Sequence, residues 1–311
     1  MRQLFGRRET SPQVTFTQDI MTHIQSEIEE INVRGLRYCI RHWGSPDGPK
    51  LFFLHGRMDS SATFQFVVDE LKKSWHIIAP DWRGYGNSEW LAKPYWFHDY
   101  YADLDVLLDH FSRGEPARIV GHSMGANIAS IYAGVRPERV AQLVMLDFLG
   151  LKPEINSDVH TVIGGWLEAI QDQPRMRTYA DYESLTKRLM ASNTRLSEKN
   201  AAFLSRAVSR VRPDGQIEMA CDPWHKIPSP IPYRIEEAKA IWRKVEAPVL
   251  MMVAEHGNVR QRFGHDSDEY RGRIESFSNV RIVTVSNSGH NVQHDQPEQI
   301  AQALEDFFIR D

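Results

Sequence analysis

The chain is poor in cysteine, with only Cys39 and Cys221 in 311 residues. So few thiols exclude a disulfide-stapled scaffold. Cys39 falls in a strand-like run and Cys221 in a segment read below as an insertion, so no bridge between them is expected and a cytoplasmic location fits. Long apolar runs are missing too: none approaches the ~20 residues that cross a bilayer, so no membrane span is expected. The opening MRQLFGRRET is basic, but no apolar stretch follows it as a secretory signal would require. Neither sign of charge dominates, with 37 basic against 41 acidic residues and a net charge of −4. That balance leaves no basic field for nucleic acid. Internal repeats and low-complexity tracts are absent. Gly84-Tyr85-Gly86 lacks the third glycine of a dinucleotide fingerprint. His290 and His294 stand four apart without an H-E-x-x-H pattern. No dinucleotide site and no metal are expected.

What the chain does have is apolar material, 41% of its residues, enough for a sizeable core. Its length suits one core with an insertion or two modest domains. Residues 1–25 do not read as core; Val14, Ile20, Met21 and Ile24 hint at a short amphipathic helix. Glu27–Asn32 and Leu36–Trp43 predict a hairpin turning at Gly35. Short apolar runs follow at Leu51–Leu54, His76–Ala79, Ala117–Val120, Leu143–Leu146, Val249–Val253 and Val280–Val285. Such runs suit strands of a parallel sheet buried on both faces. Helical patterns lie between most of them, at Ala62–Lys72, Tyr100–Phe111, Gly125–Gly134 and Asp266–Ser276, and a last one, Pro297–Phe308, closes the chain. The alternation predicts an open α/β sheet. About a hundred residues between Leu146 and Val249 break the rhythm. Trp166, Leu167, Ile170, Leu185, Leu189 and Phe203 sit there on helical periods, and Val211–Ala220 reads as a small hairpin around Asp214-Gly215. The expected organisation is an N-terminal extension (1–25), an α/β core (26–150 and 246–311) and an inserted, mainly helical cap (151–245).

Gly121-His122-Ser123-Met124-Gly125 fits G-x-S-x-G, the sharp strand-to-helix turn that exposes a nucleophilic serine. Five residues recur by chance, but here a strand-like run leads in and a helix with small residues leads out. Glycine on both sides permits the close backbone approach such a turn needs. Acyl transfer also needs two backbone N–H groups for the developing oxyanion. Met124, just after the serine, is one expected donor. Arg57, in the loop Leu54-His55-Gly56-Arg57, is the other. Of the thirteen histidines, His290 follows the last strand and precedes the closing helix, where the working residues of an open α/β sheet gather. It is the expected base.

LHGRMDSS at 54–61, PDWRGYGNSE at 80–89, GHSMGANIA at 121–129 and SGHNVQHDQPEQI at 288–300 together resemble the lidded α/β-hydrolases over roughly residues 27–308. LTKRLMASNTRLSEKN at 185–200 and VLMMVAEHG at 249–257 are most similar to the serine hydrolase-like proteins. The resemblance implies a hydrolase without a cofactor, with a lid over its site. Many members carry an acid as G-x-x-D after the seventh core strand. Here the stretch reads Ala254-Glu255-His256-Gly257-Asn258, with glycine at the acid's position. Some members place the acid after the sixth core strand, where this chain has Asp147. Asp147 is therefore the favoured partner of His290, and Glu255 the alternative.

The expected function is hydrolysis of a small-molecule ester or related acyl substrate through Ser123, His290 and Asp147. His55, Phe148, Trp166 and Trp224 are expected in the substrate pocket. Trp90, Tyr95, Trp96 and Phe97 are expected to pack the cap against the core, and Asp81 and Arg83 to hold the loop after the fourth strand. C–C bond hydrolysis or another cofactor-free reaction would use the same residues, because fold does not fix function. A ligand receptor that kept the three residues is a further alternative. The oligomeric state stays open.

Overall fold

A computed structural model describes residues 23–151 and 158–309. The helix suggested before residue 25 lies, apart from Ile24, outside the described residues.

Eight strands form one twisted sheet: β1 (Ser26–Val33), β2 (Leu36–Trp43), β3 (Lys50–Leu54), β4 (His76–Pro80), β5 (Ala117–His122), β6 (Val140–Leu146), β10 (Val249–Ala254) and β11 (Val280–Val285). Their order is β1-β2-β4-β3-β5-β6-β10-β11. β2 pairs antiparallel with β1 and β4, and every other neighbour is parallel. The strand period of two divides the core. Phe52, Leu54, Ile119, Met145 and Met251 pack on one face beneath the helices Phe97–Phe111 and Met124–Val135. Leu51, Phe53, Val120, Val144 and Leu250 pack on the other, against Val67, Ile300 and Leu304. β11 departs from the expectation of a strand buried on both faces. It is the sheet's edge, and Arg281, Ile282 and Thr284 are exposed.

The predicted helix 62–72 divides into a 3₁₀ turn, Ser61–Phe64, and a short helix, Gln65–Glu70. The one expected at 266–276 is Asp268–Ile274, and a short helix that was not expected, Asn258–Phe263, precedes it. Between them Gly264 takes a φ of +71°, a region open to glycine.

The segment between β6 and β10 carries helices Val159–Ala169, Tyr182–Ser192 and Glu198–Ala207. Their starts are capped by Asp158, Asp181 and Ser197, whose side chains accept from free backbone N–H groups of the first turn. A second sheet joins them, made of β7 (Thr178–Tyr179), β8 (Ser209–Val211) and β9 (Ile217–Met219) in the order β7-β9-β8. The hairpin β8–β9 begins two residues before its expected start. β7, at two residues, is too short to leave a periodic signal.

The loop after β4 is tied down as expected. Asp81 accepts from the backbone N–H of Ser61 (2.7 Å) and Asn87 (2.9 Å). Arg83 donates from Nε and Nη2 to the two oxygens of Asp103, each at 2.5 Å, and Asp103 is wholly buried. Of the aromatic cluster, Trp90 lies under the Arg210 guanidinium at 3.4 Å and Tyr95 stacks on His225 at 3.7 Å, both partners coming from the inserted segment. Trp96 is exposed. No helix among the described residues is long and apolar enough to cross a membrane.

Candidate active site

Three strand ends converge at one edge of the core. β5 runs into Ser123, β6 into Asp147, and the loop after β11 into His290. Ser123 has φ 51° and ψ −109° and links β5 directly to the helix Met124–Val135. A non-glycine residue held there costs about 1–3 kcal/mol and persists only where its surroundings impose it. The flanking glycines show what imposes it. A Cβ on Gly125 would fall 2.1 Å from the Leu54 carbonyl oxygen, and one on Gly121 would fall 2.5 Å from the Ala126 nitrogen. Strand, loop and helix are packed too closely at those points for a side chain.

His290 Nε2 lies 3.0 Å from Ser123 Oγ, and His290 Nδ1 lies 2.7 Å from Asp147 Oδ2. Asp147 is 1% exposed and has φ 45°. Its Oδ1 accepts from the backbone N–H of Ala254 (3.2 Å) and its Oδ2 from that of Asn258 (2.8 Å). These donors fix its rotamer. The histidine loop is fastened as well. His122 Nε2 donates to the His290 carbonyl at 2.9 Å, and Asp295 Oδ2 accepts from the Gly289 N–H at 2.7 Å. Glu255 stands apart from this chain of bonds; its Oε2 accepts from the Asn287 N–H at 2.7 Å. Burial, then the neighbouring His290, pushes the His122 imidazole well below the usual histidine range. It is therefore a neutral support for the loop.

Arg57 and Met124 both border Ser123. A Cβ on Gly56, the residue before Arg57, would lie 3.3 Å from Ser123 Cβ, so the loop backbone runs beside the serine. The Arg57 guanidinium turns away and donates to the His225 carbonyl at 2.9 Å.

A cavity of about 570 Å³ opens on Ser123, His290 and Asp147. Its walls include Phe97, Tyr100, Asn127, Phe148, Trp224 and His225. A smaller one, about 150 Å³, meets the same serine and histidine from the side of His122 and Leu204. Of the four expected pocket residues, Phe148 and Trp224 line this cavity and His55 and Trp166 do not. His55 is fully buried below the site, accepting from the Trp82 N–H at Nε2 (3.0 Å) and bonded through Nδ1 to the Gly56 carbonyl (2.7 Å). It shapes the loop and does not reach the cavity. Trp166 belongs to Val159–Ala169, a helix with no buried residue, and is absent from the cavity wall. Helical periodicity shows which residues share a face, not what that face meets. Sequence reasoning passed over His225, 9% exposed and sandwiched between Tyr85 (4.0 Å) and Tyr95 (3.7 Å). It also passed over Asn127, one helical turn beyond Ser123. That spacing was the only signal available for Asn127.

The model of the alpha/beta hydrolase fold family matches residues 49–297. A serine hydrolase-like protein of Danio rerio is 30% identical over 278 residues, covering 85% of this chain and 83% of that protein. Serine hydrolase-like protein 2 of Homo sapiens is 24% identical over 285 residues, covering 85% and 88%. Among solved structures, the thioesterase domain from the curacin biosynthetic pathway superposes with a TM-score of 0.78 at 20% identity, over 90% of this chain and 99% of that one. At that identity the likeness speaks for the fold alone.

Proposed function

This chain belongs to the α/β-hydrolase fold family, is similar within it to serine hydrolase-like proteins, and is a hydrolase; on that premise we propose that it cleaves a small ester or related acyl substrate through an acyl-enzyme on Ser123. The observation that carries this reading is the continuous path Ser123 Oγ–His290 Nε2–Asp147 Oδ2, with links of 3.0 and 2.7 Å. Ser123 Oγ attacks the carbonyl carbon as His290 Nε2 takes its proton. Asp147, accepting from Nδ1–H, holds the ring in the tautomer that leaves Nε2 basic, then stabilises the imidazolium. The oxygen that gains the negative charge is received by the backbone N–H groups of Arg57 and Met124. His290 returns its proton to the leaving alcohol. Water, activated by the same nitrogen, then releases the acid and restores the serine.

Two unequal cavities meeting at Ser123 support a substrate with a larger and a smaller limb on either side of the scissile bond. We read residues 151–245 as a lid over a core of 26–150 and 246–311. Trp224, His225 and Ile227 enter the cavity wall from that segment. Closing such a lid excludes water and selects what enters.

A fluorophosphonate probe and a panel of p-nitrophenyl esters test the reading together. Wild type labels at Ser123 and turns esters over, and Ser123→Ala does neither, with turnover lost on the order of a million-fold. Labelling that survives in Ser123→Ala overturns the assignment.

A further inference from the structure

The large cavity is lined by positive charge that no acid neutralises. Arg57, Lys226 and Arg262 all belong to its wall, and all three are exposed. The one carboxylate on that wall, Asp147, is engaged by His290 and by the N–H groups of Ala254 and Asn258. Elsewhere arginines lie against acids, as Arg83 does against Asp103, Arg210 against Glu218 and Arg273 against Glu269. Among the described residues, none of the three cavity cations pairs with a carboxylate. Arg57 Nη2 donates to the His225 carbonyl at 2.9 Å, Lys226 Nζ donates to the Arg175 carbonyl, and Arg262 has no hydrogen-bond partner. The whole chain has a net charge of −4, so the cluster does not reflect a general excess of cations. Cations around a concave, partly apolar wall focus a positive potential into it.

Arg262 is placed by its helix. On Asn258–Phe263 the residues Asn258, Val259, Arg262 and Phe263 all line the cavity, the spacing of a single helical face. Arg262 therefore stands on the face that meets the cavity, one turn beyond the Asn258 N–H that holds Asp147.

We propose that the acyl limb of the substrate ends in a carboxylate received by Arg262 together with Arg57 and Lys226, so that the substrate class is a half-ester of a dicarboxylic acid and not a plain fatty ester. The planar fork of an arginine bonds both oxygens of a carboxylate, and such charge-assisted bonds are the strong ones. Four residues of helix from Asn258 to Arg262 rise about 6 Å. The anion thus sits several bonds from the scissile carbonyl, clear of the chemistry and close enough to fix the acyl chain. Phe148, Val259 and Phe263 offer apolar surface to the methylenes between. The smaller cavity, about 150 Å³ with Asp59 in its wall, suits neither the length nor the charge of that limb and takes the leaving alcohol. The proposal rests on the reading of Ser123 as nucleophile only in taking the large cavity as the acyl side.

Calorimetry on the Ser123→Ala protein tests it without turnover. The probes are the monomethyl and dimethyl esters of the straight-chain diacids from succinate to suberate, which at each length set an anionic end against a neutral one. At the best-fitting length the half-ester is expected to bind about ten- to a hundredfold tighter, by a margin that shrinks as salt is raised. Arg262→Gln, which keeps a hydrogen-bonding side chain without the charge, reduces the preference, and Arg57→Gln, Lys226→Gln and Arg262→Gln together remove it. All three side chains are exposed, so the substitutions spare the fold. Equal binding of the two esters at every length overturns the proposal, and so does a preference that survives the triple substitution. A half-ester held tightly by Ser123→Ala but not cleaved by wild type upholds the anion site and counts against ester hydrolysis, so the two failures are distinguishable.

Discussion

The Asp147 carboxylate occupies the space that a side chain at Gly257 would enter: a Cβ on Gly257 would stand 2.4 Å from Asp147 Oδ2 and 2.6 Å from its Cγ. Position 257 is where many α/β-hydrolases carry the acid. In this chain the carboxylate bonded to His290 stands at the end of β6, and the missing side chain at 257 leaves it room to turn toward that ring.

On the proposed mechanism Asp147→Asn cuts kcat by about ten-thousand-fold while the folded protein persists. The amide cannot stabilise an imidazolium. Its NH₂ also has to face one of the N–H donors that now meet an oxygen. Glu255→Gln, whose oxygen bonds only the Asn287 N–H, is mild by comparison. Steady-state kinetics of both variants, with folding checked by circular dichroism, decides between them. A dead Glu255→Gln beside a nearly normal Asp147→Asn reverses the assignment.

Gly257→Ala separates the position of the acid from its charge. The new methyl collides with Asp147 Oδ2 and, at 2.5 Å, with Ala254 Cβ, so the carboxylate is pushed from the imidazole. Displacement of about 1 Å in such a constellation costs roughly a hundredfold in rate. Gly272→Ala, where an added Cβ meets nothing within 4 Å, is the control and keeps wild-type kcat. Equal activity in the two variants means that the contact is without consequence.

Chain-length preference follows Trp224 and not Trp166. Trp224 lines the large cavity, whereas Trp166 lies on a helix with no buried residue. Across p-nitrophenyl esters of increasing acyl length, Trp224→Ala shifts the optimum and Trp166→Ala leaves the profile unchanged. The reverse pattern places the acyl group elsewhere.

Stability drops as the solution is acidified, because histidines are buried in neutral form, three of them held by backbone carbonyls. Burial pushes His55 down to about 4 and His225 to about 3, and His122 falls well below its usual range. Each uses one ring nitrogen toward a backbone carbonyl, of Gly56, Arg83 and His290 respectively. In His55 the other nitrogen accepts from the Trp82 N–H, so an added proton would set donor against donor. The unfolded chain takes up protons first, near pH 6.5. The stabilisation is therefore complete above that pH and is lost as pH falls toward the folded values. By pH 5 His55 and His225 each remove on the order of 1–2 kcal/mol. Urea midpoints at pH 7.5 and 5.0 measure the slope, which His55→Gln reduces; a slope unchanged in that variant counts against this origin.

The sequence alone determined the sheet and the turn at Ser123. Buried-strand runs, the helices between them and glycine at 121 and 125 are local signals. Each reports a backbone requirement that neighbouring residues must meet wherever the rest of the chain lies. It also narrowed the acid to two carboxylates but could not choose, since Asp147 and Glu255 both follow core strands. Tertiary structure decided what depends on approach between distant segments. It brought Asp147 to the space beside Gly257, 110 positions later. It turned His55 away from the cavity and into the Trp82 loop, and left Trp166 half-buried and off the cavity wall. It set His225 between Tyr85 and Tyr95, and made β11 an edge with Arg281, Ile282 and Thr284 exposed. Periodicity gives the direction of a side chain relative to its own element; what stands opposite is fixed only when the elements pack, which is why Asn127 reads in the sequence as one more residue of a small-residue helix and in the fold as a polar group on the cavity wall.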